Sequence, residues 1–274
     1  MQRSWGLKGG EDLSEPPYMI RHRRVFYLNS ANRLSGDDAS SVTLQVNIPS
    51  HETFTHVLVV EANIPKSYYL VQASFNTFTI MENAVARTIT LTPANYGATA
   101  FQTTVIAALN AGAPVGWVYA MSLPSSSQPQ TGKWTFTVTG NGGSQPSIVT
   151  TTNVYEQLGF NANSTNTFIA NSLTSTNVIK LQSEDALYIH SDIVTEVGDD
   201  TLQEVYTVGI PDFGIINYKC SEWQVMAKPM HSAKSQVYRF TLTVENGRLM
   251  NLNGLNWVMT LMVFSIDLPL TLKL

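Results

Sequence analysis

Val42, Leu44, Val46 and Ile48 alternate with Thr43, Gln45 and Asn47, the period-2 pattern of a strand with one buried face. Trp134, Phe136 and Val138 alternate with threonines in the same way, as do Tyr238, Phe240, Leu242 and Val244 with Arg239, Thr241 and Thr243. Shorter runs predict strands at 24–29, 55–63, 77–81, 87–92, 186–191, 204–208 and 223–227. The stretch 257–265 is apolar on both faces, which predicts a central strand. It is too short to cross a membrane, which takes about twenty apolar residues, and Asp267 and Pro269 close it. Asn246-Gly247 and Asn253-Gly254 are turn dipeptides on the approach to it. Helical periodicity is confined to two places. Phe101, Val105, Ala108 and Leu109 form one apolar face between Thr99 and Asn110, with Gly112 as the stop. Asn153 and Glu156 have capping-box spacing for a short second helix ending at Gly159.

Charge then divides the chain. Only 13% of the 274 residues are Asp, Glu, Lys or Arg, against about 25% in an average soluble domain. Thr, Ser, Asn and Gln take their place, the composition of strands and turns. Between Ser67 and Ile179 the charged residues are Glu82, Arg87, Lys133 and Glu156 alone, so 70–180 is predicted to be an insertion domain, β-rich with one or two short helices. The flanking 25–69 and 181–274 supply three predicted strands before it and five after. Eight strands in two sheets with long connections predict an all-β single jelly roll, built from two Greek keys. An immunoglobulin-like sandwich, one strand shorter, stays open at this point. Residues 1–24 carry Arg3, Lys8, Arg21, Arg23 and Arg24 among Gly9-Gly10 and Pro16-Pro17. They read as an extended basic arm that contacts a neighbouring subunit or packaged nucleic acid, or as a solvated terminus.

Candidate chemistry is sparse. One thiol, Cys220, excludes a disulfide framework and reads as a small buried hydrophobe. The five histidines lack metal-ligand spacing on a common face; His51 and His56 flank a turn, and His190 is expected to point to solvent or an interface. Asp192, Glu196, Asp199 and Asp200 are oxygen ligands without the regular spacing of a calcium loop, and a solvated acidic loop is the simpler reading. There is no phosphate loop, nucleophile elbow or zinc-protease motif, so no catalytic residue, cofactor or metal is assigned and the protein is expected not to be an enzyme. The N-terminus lacks the apolar run of a secretory signal, which leaves the Asn163-Ser-Thr165 sequon unused. Trp117, Tyr119 and Trp134 could form an exposed aromatic site for sugar stacking in a lectin-like protein, or a small core.

Several segments together resemble a known family. They are Asn29-Ser-Ala-Asn-Arg33, Glu61-Ala-Asn-Ile-Pro-Lys-Ser-Tyr-Tyr69 and Ile89-Thr-Leu-Thr-Pro-Ala-Asn-Tyr96, then Leu158-Gly-Phe160, Leu187-Tyr-Ile-His-Ser-Asp192 and Leu252-Asn-Gly-Leu-Asn-Trp257. This set resembles the penton (minor capsid) proteins of virophages and polinton-like viruses, from about residue 25 onward. The resemblance implies a single jelly roll that forms homopentamers at the fivefold vertices of an icosahedral virion. Its implied neighbours are double-jelly-roll major capsid proteins and other minor capsid proteins, with the insertion projecting outward. A spike or fibre head, or a glycan-binding lectin-like protein, is the alternative. Removing residues 1–20 is expected to weaken incorporation into capsids without unfolding the protein; normal incorporation, or an unfolded product, contradicts the arm.

Overall fold

The computed structural model describes residues 19–36, 38–124, 129–182, 184–195, 199–230, 236–245 and 247–267. The chain divides into two compact units, one made of Met1–Lys66 with Ala186–Leu274 and the other of Ser67–Asp185. The first unit opens with β1 (Met19–Asn29), β2 (Ser41–Gln45) and β3 (His56–Pro65). The second holds β4 (Thr77–Glu82), β5 (Val85–Thr90), α1 (Ala98–Asn110), β6 (Val118–Ser122) and β7 (Thr135–Thr139). It ends with β8 (Ser147–Thr150), α2 (Tyr155–Leu158), β9 (Ser164–Thr167) and β10 (Ser172–Thr174). The first unit resumes with β11 (Ala186–Ser191), β12 (Thr201–Tyr206), β13 (Ile215–Lys219) and α3 (Trp223–Met226). The two-residue β14 (Lys228–Pro229), β15 (Val237–Val244) and β16 (Val258–Asp267) complete it.

In the first unit the sheet order is β1-β16-β3-β13, with β14 also on β3, and β12-β11-β15-β2 in the second sheet, every pair antiparallel. Apart from the two-residue β14, these are two four-stranded sheets between which the chain keeps crossing, which makes a jelly roll and not the seven-stranded alternative. Register places the apolar residues of the second sheet on one side: Val42 faces Phe240, and Leu242 faces Ile189, all buried. Phe240 meets Trp257, at the entry to β16, edge-on at 6.3 Å, and the Trp257 indole donates to the Ala39 carbonyl. That contact joins the two layers. Asn253 and Gly254 both take positive φ in the turn before β16 (51° and 82°), as a tight turn in those positions requires.

Towards its C-terminal half β16 is covered on both faces. Leu261 and Val263 are fully buried; so is Phe264, against which His56 stacks at 5.7 Å and Trp223 packs edge-on at 5.6 Å. The strand predicted at 223–227 is therefore a single helical turn. Its Val225 and Ala227 N–H groups bond back to Glu222 and Trp223, and Trp223 lies over Phe264 instead of joining a ladder. The ladder position is held by β13, whose short Ile-Ile-Asn-Tyr-Lys run was too brief to stand out by alternation.

The second unit has sheets β10-β7-β6 and β5-β4-β8-β9. Phe101, Val105 and Leu109 of α1 are buried with Phe78, Tyr119, Trp134 and Phe136 in one core. Asn110 fastens the end of the helix: its side chain donates to the Tyr119 carbonyl and accepts from the Tyr119 N–H at 2.8 Å. α2 has no capping box. Val154, in left-handed conformation, precedes it, and Asn153 donates to the Thr77 hydroxyl instead. Gly140 is obligatory, since a Cβ there would stand 1.9 Å from the Gly116 carbonyl oxygen.

An ion pair and a tyrosine hydroxyl meet within this core. Buried Glu82 accepts from Arg87 Nε and Nη2, each at 2.8 Å, and from the Tyr119 hydroxyl at 2.7 Å. Arg87 Nη2 also donates to the Leu109 carbonyl at the end of α1, so one ion pair ties β4, β5, β6 and the helix together. Burial, then the Glu82 carboxylate, pushes the Tyr119 hydroxyl far above the ordinary tyrosine value. Glu82→Ala leaves Arg87, whose side chain is only 21% exposed, without its counter-charge. The expected loss is about 3 kcal/mol in the unfolding of this unit, read by urea titration. A loss below about 1 kcal/mol contradicts the assigned role.

Candidate assembly surfaces

An eight-stranded sandwich has two edge strands in each sheet, and here they are β1 and β13 in one and β2 and β12 in the other. α3 leads from β13 to β14, and its Val225 and Met226 line a hollow together with Leu202, Gln203 and Glu204 of β12. The β12 and β13 edges therefore share one flank, and β1 and β2 share the opposite one. Edge strands present unpaired N–H and C=O groups and are natural sites for contact with another chain.

The β12/β13 flank exposes Tyr206, Val208, Phe213, Ile215 and Val225. Phe213 is the most informative of them. It is a bulky residue in left-handed backbone conformation (φ 63°), and its ring is 70% exposed. A strained backbone that holds an apolar ring in water is costly to an isolated subunit, and such strain collects at functional positions. The turn is fixed from below: the Phe213 N–H donates to the Lys66 carbonyl, and the Lys66 N–H to that of Gly214 at 2.9 Å. Asp199, Glu204 and Lys228 line the same hollow, and Asp212, Lys219 and Glu222 stand on or beside β13 and α3.

The β1/β2 flank exposes Tyr27 (83%), Val25 and Leu34 with Arg23 and Arg24. Arg33, half-buried, is held by the Ser30 and Gly36 carbonyls. Arg24 forms a two-point ion pair with Glu52, and its guanidinium holds the Glu52 carboxyl below the ordinary carboxylate range. That stabilisation exists above the ordinary range and is lost as pH falls through the lowered value; because solvent reaches both side chains, the pair contributes little to folding. Among the described residues both flanks thus carry exposed apolar side chains; the β12/β13 side holds more acids than bases, and the β1/β2 side carries Arg23 and Arg33 beside the Arg24–Glu52 pair.

The residues singled out in the sequence are dispersed. Arg3 and Lys8 lie outside the described residues. β1 begins at Met19, so Arg21, Arg23 and Arg24 belong to a paired strand and not to an arm, and a clean removal of the terminal stretch ends at residue 18. Trp117, Tyr119 and Trp134 are core side chains with no open face, because the strand alternation turns them inward; they offer no sugar-stacking platform. Cys220 is half-buried beside Tyr218, whose hydroxyl is pushed up by burial and then by the thiol. His51 is exposed, 3.8 Å from Glu52, while His56 stacks on Phe264, so the two do not converge. His190 is half-buried on the outer side of its sheet, where it is held between Asp200 and Thr243. Among the described residues no three His, Cys, Asp or Glu side chains gather as a metal site. No helix among them is long and apolar enough to cross a membrane.

No protein-family model matches the sequence, and none of the curated proteins does. Among solved structures the chain is similar to the mavirus penton protein, with 11% identity, a TM-score of 0.43, and 90% of this chain and 100% of that one covered. It is also similar to a chain of the Sputnik virophage solved by cryo-electron microscopy, with 12% identity, a TM-score of 0.39 and coverage of 92% and 98%.

Phe213→Gly separates folding from assembly. Relief of the left-handed conformation is worth about 1 kcal/mol, which offsets the loss of a mostly exposed ring. The variant is expected to melt no lower than the parent while associating more weakly; a clear fall in melting temperature contradicts a surface role for the ring.

Proposed function

We propose that this chain is a structural protein of an icosahedral virus capsid, and specifically a penton. Five copies close a ring at a fivefold vertex, each placing its β12/β13 flank on the β1/β2 flank of the next. The observation that carries the reading is the pair of unlike flanks on opposite sides of one jelly roll. An isologous dimer uses the same patch twice, whereas two different complementary patches generate head-to-tail contacts that close into rings. Acidic and basic flanks attract in that arrangement, and they repel when like meets like.

The low charge content suits the role. Ordered packing of five copies against neighbouring shell proteins desolvates large areas, and each unpaired charge there is costly. The resemblance of the six sequence segments to virophage and polinton-like pentons adds the partners: double-jelly-roll major capsid proteins and other minor capsid proteins around the ring. The basic residues Arg3 and Lys8 then serve to tie the ring to those neighbours, with contact to the packaged genome as the competing role.

Light scattering behind size exclusion tests the ring. The expected mass is about 150 kDa, five times the 30.2 kDa chain. The double variant Phe213→Ser, Ile215→Ser is expected to give folded 30.2 kDa monomers, because both side chains are exposed in the isolated subunit. A trimer supports a spike or fibre head instead, and a double variant with the parent mass contradicts the assigned flank.

A further inference from the structure

The outer face of the β12-β11-β15-β2 sheet holds a depression that neither the core nor the flanks use. Its volume is ≈ 400 Å³, and His190, Asp192, Asp200, Arg239, Thr241 and Thr243 line it. That volume falls in the range of small-ligand sites, roughly 300–1,000 Å³. The register explains the lining: His190 is the cross-strand partner of Thr241 and Tyr188 that of Thr243, so alternate residues of β11 and β15 meet on this face.

The groups are fixed in place before any ligand arrives. The Asp200 carboxylate can only accept, so His190 Nδ1 donates to it at 2.9 Å. With a neutral ring, Nε2 then accepts from the Thr243 hydroxyl at 2.8 Å. Asp192 accepts the Arg239 backbone N–H at 2.8 Å, and the Arg239 guanidinium leans on the Ser41 hydroxyl at 3.3 Å. Carboxylates, a guanidinium, an imidazole and hydroxyls therefore converge on one hollow from β11, β15 and the residues beside them.

This composition selects among ligand classes. Two carboxylates against one guanidinium give no positive excess, which disfavours phosphate, sulfate and nucleic-acid backbones. The lining has no large aliphatic or aromatic wall for an apolar ligand. An uncharged polyol fits: each of its hydroxyls can donate to a carboxylate and accept from the guanidinium or a hydroxyl. We propose that this hollow binds a neutral saccharide unit, whose hydroxyls donate to Asp192 and Asp200 and accept from Arg239 and the β15 threonines. The site lies on the sheet face and leaves both flanks open, so it does not depend on the ring arrangement.

Saturation-transfer NMR on the full chain tests the site, with a panel of neutral hexoses, pentoses and N-acetylhexosamines as probes and inorganic phosphate and sulfate as controls. At least one neutral sugar is expected to bind, and Arg239→Ala to weaken it about tenfold, the equivalent of one lost charge-assisted hydrogen bond. Thr241→Gln fills the hollow without touching the His190 bonds and is expected to abolish binding with the melting temperature unchanged. The proposal is overturned when no neutral sugar binds, when phosphate or sulfate binds in preference, or when both variants bind as the parent does.

Discussion

The jelly-roll unit depends on where its last strand goes. β16 enters between β1 and β3, so the two ends of the described chain are hydrogen-bonded through it along nearly their whole length. The insertion is what makes this pairing long-range: β3 and β16 are separated in sequence by an entire second unit with its own core. Such non-local pairing carries a large loop-closure cost, which the apolar content of β16 offsets. Leu261, Val263 and Phe264 are buried, and Trp257 at the strand's entry links it to Phe240 of the other sheet. Without β16, β1 has no partner, the first sheet loses its middle, and the two flanks no longer face opposite ways.

From that constraint the surface follows. Four edge strands remain, and the chain distributes its charge unevenly over them. Cations concentrated near the N-terminus arrive on β1 and the turn after it, and acids concentrated around residue 200 arrive beside β12. The asymmetry that is a mere gradient along the sequence becomes a difference between two sides of a folded subunit. The inserted unit takes the opposite course: it removes nearly all charge and buries the ion pair of Glu82 and Arg87 to hold its helix to its sheet.

Much of this was legible in the residues, and the exceptions have physical reasons. Alternation located β2, β7 and β15, and the all-apolar run located β16, because burial on one or both faces leaves a direct mark on composition. Phe101, Val105 and Leu109 marked α1 for the same reason. The run at 223–227 misled because a tryptophan that caps a buried phenylalanine looks the same in sequence as one on a strand. Asn153 failed as a cap because its side chain found Thr77, a residue far away in the chain. The aromatic trio Trp117, Tyr119 and Trp134 belongs to a core, which their alternation with polar residues already allowed. What alternation cannot encode is which strands become edges. Tyr27, Phe213 and Ile215 acquire their meaning only from sheet order, and the His190 hollow only from the pairing of β11 with β15.

The most direct test of the ring is its image. Cryo-electron microscopy of the purified protein is predicted to show fivefold rings in which the β12/β13 edge of each subunit lies on the β1/β2 edge of the next. A twofold particle, or a ring whose subunits meet through their sheet faces with both flanks open to solvent, would contradict it.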